Sequence, residues 1–203
     1  MTLGTYRHGG TSNNEPDVSD DANLIAETLA GQTAAFGKLV EKYQDRLFKT
    51  LSHLAGNAED ARDIVQEAFV QAFIKLDTFR GSSAFYTWLY RIAFNISAGL
   101  RRKHRPVGSI DQNREQIGLE PVDNGLGPVE QLESQERCRQ VRHALGQLSD
   151  EHRKILVLRE IEGCEYETIA EILGLPVGTV RSRLHRARMQ LREELKERLE
   201  IGG

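Results

Sequence analysis

Apolar residues recur at helical spacing through most of the chain, and no segment alternates with the period of two that a half-buried strand requires. Between Thr33 and Leu54, the residues Phe36, Leu39, Val40, Tyr43, Leu47, Phe48 and Leu51 share one face. Between Asn57 and Phe79 the inward set is Ala61, Ile64, Val65, Ala68, Phe69, Ala72, Phe73 and Leu76, with Asn57 as the cap. A shorter helix from about Ala22 to Ala30 precedes them, with Ser19, Asp20 and Asp21 as capping residues. Arg80-Gly81-Ser82-Ser83 breaks the pattern, and Ser82 or Ser83 then caps a helix from about Ala84 to Lys103. From Pro106 to Gly127 the period vanishes among prolines and glycines. Helices resume over about Pro128–Leu148, from Ser149 to near Gly163, over Glu165–Leu173 and over Val177–Leu199.

The expected fold is therefore all-α: two small helical domains joined by a flexible linker. Residues 1–20 have no hydrophobic period and read as a disordered tail. The first domain covers 21–105, the linker 106–127 and the second domain 128–203.

Composition narrows the class. The 203 residues are 39% hydrophobic and 28% charged, with a mean hydropathy of −0.48, which fits a soluble chain. No apolar run reaches 18 residues, and Met1 to Asp21 has no signal-peptide core, so the expectation is cytoplasmic with no membrane insertion. Cys138 and Cys164 form no CxxC pair, which argues against a zinc site or a disulfide framework. The six histidines and the scattered carboxylates compose no triad, paired acid or phosphate loop. The expectation is a protein with no metal, no cofactor and no enzymatic activity.

The net charge of −3 conceals two basic clusters. Arg101, Arg102, Lys103 and Arg105 sit together, and Arg181, Arg183, Arg186, Arg188 and Arg192 follow one another with no acid among them. Local cations on a mildly acidic chain point to places that meet phosphate, or simply to solvated helix ends. The second cluster has a context that decides for phosphate. In EYETIAEILGLPVGTVRSRL, Ala170 is small enough to let two helices cross, Gly174 suits a left-handed turn four residues later, and Val180 plugs the second helix into the first. That is helix-turn-helix spacing, whose second helix enters the DNA major groove. Val177, Val180, Leu184, Ala187 and Leu191 face inward, which turns Arg181, Ser182, His185 and Arg186 outward with Arg183 and Arg188 beside them. Arginine is suited to bidentate contacts with guanine and phosphate.

The first domain carries a second constellation, FRGSSAFYTWLYRIAFN over 79–95. Phe85, Tyr86, Trp88 and Tyr90 occupy six positions and cannot all face one core; Phe85 and Trp88 share one face, which leaves Tyr86 and Tyr90 on another. Rings beside Arg80 and Arg91 suit single-stranded nucleic acid, where bases stack and the backbone follows the cations. Read alone, the same aromatics also fit an ordinary core. Asp63, Gln66 and Glu67 form an acidic and amide stripe on the preceding helix, either a solvated face or a docking surface for a basic partner.

DIVQEAFVQAF (63–73), FRGSSAFYTWLYRIAFN (79–95) and PVGTVRSRLHRAR (176–188), in this order and at these separations, resemble a bacterial RNA polymerase sigma factor of the extracytoplasmic-function (ECF) group, close to the sigma-E type. The resemblance covers about residues 21–198. It implies binding to core RNA polymerase, promoter recognition and opening, and transcription initiation in a stress or envelope response. The first domain would be the region-two module, docking on the beta-prime clamp helices through Asp63, Gln66, Glu67 and Phe69. Its loop and following helix would hold an unpaired base of the -10 element through Arg80, Ser82, Ser83, Phe85, Tyr86, Trp88, Tyr90 and Asn95, some of these in support. The family often has Asp where this chain has Ser82, which bears on the preferred base. The second domain would be the region-four module at the beta flap, reading the -35 element as duplex. Arg181, Ser182, His185, Arg186, Arg183 and Arg188 would serve there, with Arg159 and Thr168 on the backbone. Promoter DNA and an anti-sigma factor complete the implied partners. A linker of about 22 residues at roughly 3.3 Å each reaches on the order of 70 Å, enough for elements roughly 50 Å apart. A stand-alone helix-turn-helix regulator, or an adaptor binding proteins only, would leave one or the other constellation without a role.

Overall fold

The computed structural model describes residues 18–55, 57–103 and 128–201. The linker over 106–127, most of the expected tail and Arg105 lie outside the described residues, as do the side chains of Arg101, Arg102, Lys103 and Cys138. Among the described residues eight α-helices run in two groups: α1 (Val18–Leu29), α2 (Thr33–Ser52), α3 (Ala58–Ile74) and α4 (Phe85–Lys103), then α5 (Pro128–Gln147), α6 (Asp150–Leu156), α7 (Tyr166–Leu173) and α8 (Val177–Ile201). A single 3-10 turn at Leu76–Thr78 closes α3, and α6 runs into a π-helical turn at Val157–Ile161.

The helices match the sequence periodicity closely, and the differences have local causes. Helix α1 begins before Asp20 and Asp21, so both are first-turn acids favoured by the helix dipole rather than caps. Asp21 turns inward and accepts hydrogen bonds from the Tyr43 hydroxyl and, at 2.6 Å, from Lys42 Nζ, which ties α1 to α2. Asn57 caps α3 as expected, its side chain accepting from the Asp60 N–H at 2.7 Å. Helix α4 starts one residue later than expected. The Thr87 and Trp88 N–H groups donate to the Ala84 carbonyl, so the cap position is Ala84 and neither serine fills it.

Leu39, Leu47 and Leu51 of α2 are fully buried with Ile64, Ala68 and Phe69 of α3 and Phe85 and Leu89 of α4. Each leucine of this kind contributes about 1.5–3 kcal/mol. In the second group Ile155, Leu158, Ile169, Val180, Leu184 and Ala187 form the inward set. Arg153 is buried among them. Its guanidinium donates to the carbonyls of Leu145, Gly146 and Leu148 at 2.7–2.9 Å, satisfying the otherwise orphaned end of α5.

The helix-turn-helix forms where the spacing predicts it. Gly174 ends α7 at φ 65° and ψ 40°, and the next N–H, that of Leu175, donates to the Ala170 carbonyl at 3.0 Å. A Cβ at Gly174 would meet nothing within 4 Å, so only the left-handed backbone selects glycine there. Gly174→Ala is therefore expected to lower stability by about 1–2 kcal/mol, read as a lower thermal midpoint with the unfolding slope in denaturant unchanged.

The two groups of helices also touch, which the periodicity does not foretell. Helix α4 packs along α7, and the π-helical turn meets α2. His53, just past α2, lies near this seam. Its Nδ1 is buried without a hydrogen-bond partner. Burial, and after it the charges of Arg142 and Lys49, push its imidazole below the usual range. The unfolded chain takes up a proton near pH 6.5 that the folded chain resists, so this contribution to stability is lost as the pH falls through that value. Melting curves between pH 7.5 and 5.5 should decline more steeply for the wild type than for His53→Gln, and parallel declines would remove the assignment.

Candidate nucleic-acid interface

Arg181, Ser182, His185 and Arg186 are all exposed on α8, because Val180, Leu184 and Ala187 are fully or almost fully buried between them. No carboxylate among the described residues pairs with Arg181 or Arg186. The Arg186 Nε only approaches the Ser182 carbonyl at 3.4 Å. Their guanidinium groups are thus available to a ligand in front of the helix.

The flanking cations are held differently. Arg188 bonds Glu160 at 2.6 Å, Arg183 bonds Glu151 at 3.1 Å and Arg159 bonds Glu165 at 3.1 Å. Within α8 no acid precedes Glu193, but these three acids fold onto the face from the segments before it. These five arginines therefore divide into two without a carboxylate partner among the described residues and three that carry an intramolecular counterion. Thr168 is half-buried on α7.

In the first group the structure sorts the aromatics. Gly81 adopts φ 67° and turns the exposed Arg80–Ser82 loop away from α3. Trp88 is half-buried, its ring 5.3 Å from Phe79 and 5.8 Å from Phe85. Ser83 and Tyr86 are half-buried, and Asn95 and Arg91 are exposed. Phe85 and Tyr90 are fully buried and cannot touch a base. The expected split of Tyr86 and Tyr90 from the core holds for Tyr86 alone. Tyr90 turns inward because its hydroxyl finds a polar partner there, 3.1 Å from the Thr50 hydroxyl.

That partner belongs to a cluster joining the two groups. Glu162, whose side chain is 5% exposed, accepts from Arg46 Nε at 2.8 Å and from the Thr50 hydroxyl. The Arg46 guanidinium also lies over the Tyr86 ring, 5.4 Å from its centroid. Burial, and then the Glu162 charge, pushes the Tyr90 phenol far above its usual range. For Arg46 burial is the largest effect and works against the charge, but the bond to Glu162 and the charges around it together outweigh it, and the net shift is upward. Cys164, buried beside the same carboxylate, is pushed up to about 11, chiefly by burial. Such a thiol is inert at neutral pH.

On α3, Asp63, Gln66 and Glu67 are exposed on one side, as the stripe requires. Phe69 is not: it is 6% exposed and packs edge-on against Phe36 at 6.4 Å, a core residue rather than a docking contact. The exposed apolar positions beside the stripe are Val70, Phe73 and Ile74, of which the periodicity placed Phe73 inward; its ring packs against Phe36 but stays part-exposed. No group of residues among those described could hold a metal ion, and no described helix is long and apolar enough to cross a membrane.

Comparison with known proteins agrees with this layout. Residues 39–106 match the Sigma-70 region 2 family and residues 138–191 the Sigma-70, region 4 family. The chain is 39% identical to the RNA polymerase sigma-H factor of Pseudomonas aeruginosa over 182 residues, covering 87% of this chain and 94% of that protein. It is also 39% identical to the ECF RNA polymerase sigma-E factor of Escherichia coli K12, covering 83% and 90%. Among solved structures it resembles CnrH in complex with the cytosolic domain of CnrY, with a TM-score of 0.66 and 28% identity over 88% of this chain and 98% of that one. The sigma factor RpoE bound to the anti-sigma factor NepR, from Bartonella quintana, superposes with a TM-score of 0.60 at 26% identity over 79% and 96%.

Proposed function

Because the chain belongs to the extracytoplasmic-function sigma factors of RNA polymerase, we propose that it binds core polymerase and directs it to promoters by two separated readings of DNA. Residues 21–105 act as the polymerase-binding and -10-reading half, residues 128–203 read the -35 element, and 106–127 tether them. The observation that carries this reading is the exposed face of α8, with Arg181, His185 and Arg186 presented by a helix-turn-helix and free of carboxylates. Guanidinium groups so placed suit guanine edges and phosphates in a major groove.

In the first half, Asp63, Gln66 and Glu67 dock on the beta-prime clamp helices, and the apolar Val70, Phe73 and Ile74 beside them support that role. Arg80, Ser82, Ser83, Tyr86, Trp88 and Asn95 surround a base drawn from the -10 element, with Phe85 and Tyr90 setting the helix from within. Capturing an unstacked base offsets the few kcal/mol needed to extrude it, so promoter opening needs no bond-making chemistry from this chain. CnrH was solved in complex with the cytosolic domain of CnrY and RpoE in complex with the anti-sigma factor NepR, and an anti-sigma factor is the corresponding partner here.

The test is run-off transcription with purified core polymerase, with and without the chain, beside a DNA shift assay of the chain alone. Promoter-dependent transcripts with poor DNA binding by the free chain are expected. A chain that shifts DNA alone but never supports initiation would be a stand-alone regulator instead.

A further inference from the structure

Tyr166, the first residue of α7, is not among the residues that face DNA in the reading above, yet three of those arginines converge on it. The Arg159 guanidinium lies over its ring at 5.1 Å from the centroid, and the Arg181 guanidinium at 6.0 Å. The Tyr166 hydroxyl also acts on Arg188, raising its affinity for a proton, though less than the bond from Glu160 does. We propose that Tyr166 is a positioning residue for duplex recognition: its ring is a platform that presets the Arg181 guanidinium on the face of α8.

The two arginines over the ring differ in what else restrains them. Arg159 is fixed independently, donating to the Cys164 carbonyl at 2.8 Å and to Glu165 at 3.1 Å. Arg181 has no acid partner among the described residues, so the ring is the group that confines it. A long arginine side chain carries large rotamer freedom, and a base contact has to offset the loss of it. A guanidinium already held over an aromatic face loses less on binding, and at an exposed site that attraction corresponds to about a two- to fivefold change in an equilibrium. The chain turns at Gly174, where the left-handed backbone ends α7, and α8 then packs on α7 with Arg181 within reach of the Tyr166 ring. The inference rests on the proposed reading of duplex by α8 and adds to it the residue that shapes one of its contacts.

The experiment uses the full chain assembled with core polymerase. A DNA library randomised in the upstream duplex element gives the sequence preferred by the wild type, and affinities for that sequence and for a scrambled one give the discrimination. Tyr166→Leu, which keeps bulk without a ring, is expected to lose about two- to fivefold of discrimination, while Tyr166→Phe keeps it. Arg181→Ala should lose more, and Tyr166→Leu should add nothing to Arg181→Ala in the double variant. Tyr166→Gln is the second ring-less change should Tyr166→Leu fold poorly, as judged by thermal melting. Unaltered discrimination in both ring-less variants would overturn the inference, as would additivity with Arg181→Ala. An equal loss in Tyr166→Phe would overturn it too, by assigning the effect to the hydroxyl. If Arg181→Ala itself discriminates like the wild type, base reading through Arg181 fails first, and the positioning role falls with it.

Discussion

Arg181→Ala and Arg186→Ala are each expected to weaken binding of the polymerase complex to its preferred upstream element by about 1–3 kcal/mol, or roughly five- to 150-fold. Their effect should be concentrated on the preferred sequence, because both side chains are exposed on α8 and neither guanidinium is paired with a carboxylate among the described residues. Arg183→Ala and Arg188→Ala provide the contrast. Each already holds a solvent-exposed carboxylate, and a surface pair of this kind contributes about 0–1 kcal/mol. DNA has to displace that acid, so their loss should be smaller and nearly equal on all sequences. Filter binding or fluorescence anisotropy at two salt concentrations separates the cases, since a lost phosphate contact lowers the salt slope by about one unit. Equal losses on preferred and scrambled DNA for Arg181 and Arg186 would reduce both to backbone contacts.

Arg46→Ala should open the seam between the two helical groups. It strands the Glu162 carboxylate, which is 5% exposed and is left with the hydroxyls of Thr50 and Tyr90 in place of a cation. Removing one member of a fully buried pair costs about 3–5 kcal/mol. The Arg46 side chain is 37% exposed, so water screens the pair and a figure near 2 kcal/mol is more apt. Even that shifts a closed-to-open ratio by about thirtyfold. Solution scattering should then report a larger radius of gyration than for the wild type, with Glu162→Gln in between because it keeps a hydrogen-bonding shape without the charge. An unchanged radius in both variants would mean that apolar packing of α4 on α7 holds the halves by itself. The contact also bears on promoter binding. Two elements roughly 50 Å apart cannot be read by halves in contact, and Tyr86 lies under the Arg46 guanidinium while the seam is closed.

What the sequence disclosed followed from how local each signal is. The helix-turn-helix was legible because Ala170, Gly174 and Val180 lie within eleven residues of one another, and the structure returns the left-handed glycine and both buried contacts. The stripe of Asp63, Gln66 and Glu67 was legible for the same reason, a helical period read on one helix. Tyr90 was misplaced because its polar neighbourhood is made by Thr50 and Glu162, 40 residues before it and 72 after. Phe69 was placed inward by the period of α3, as its burial against Phe36 shows; its docking role came from the resemblance alone, which carries no information about which way that ring packs. The acids on the recognition surface were missed since Glu151, Glu160 and Glu165 come from earlier segments, brought there only once α6 and α7 have packed on α8.

The wide turn after α6 has an evolutionary consequence of its own. The Glu162 N–H reaches back five residues to the Val157 carbonyl, where an α-helix would reach back four. One residue more or less in a helical stretch rotates all that follows by about 100°. A single-codon deletion within 157–161 would therefore swing the Glu162 carboxylate off the Arg46 side with no change in any side chain. Related chains could thus tune how tightly their halves associate by insertion and deletion alone, leaving the residues that meet DNA under separate selection.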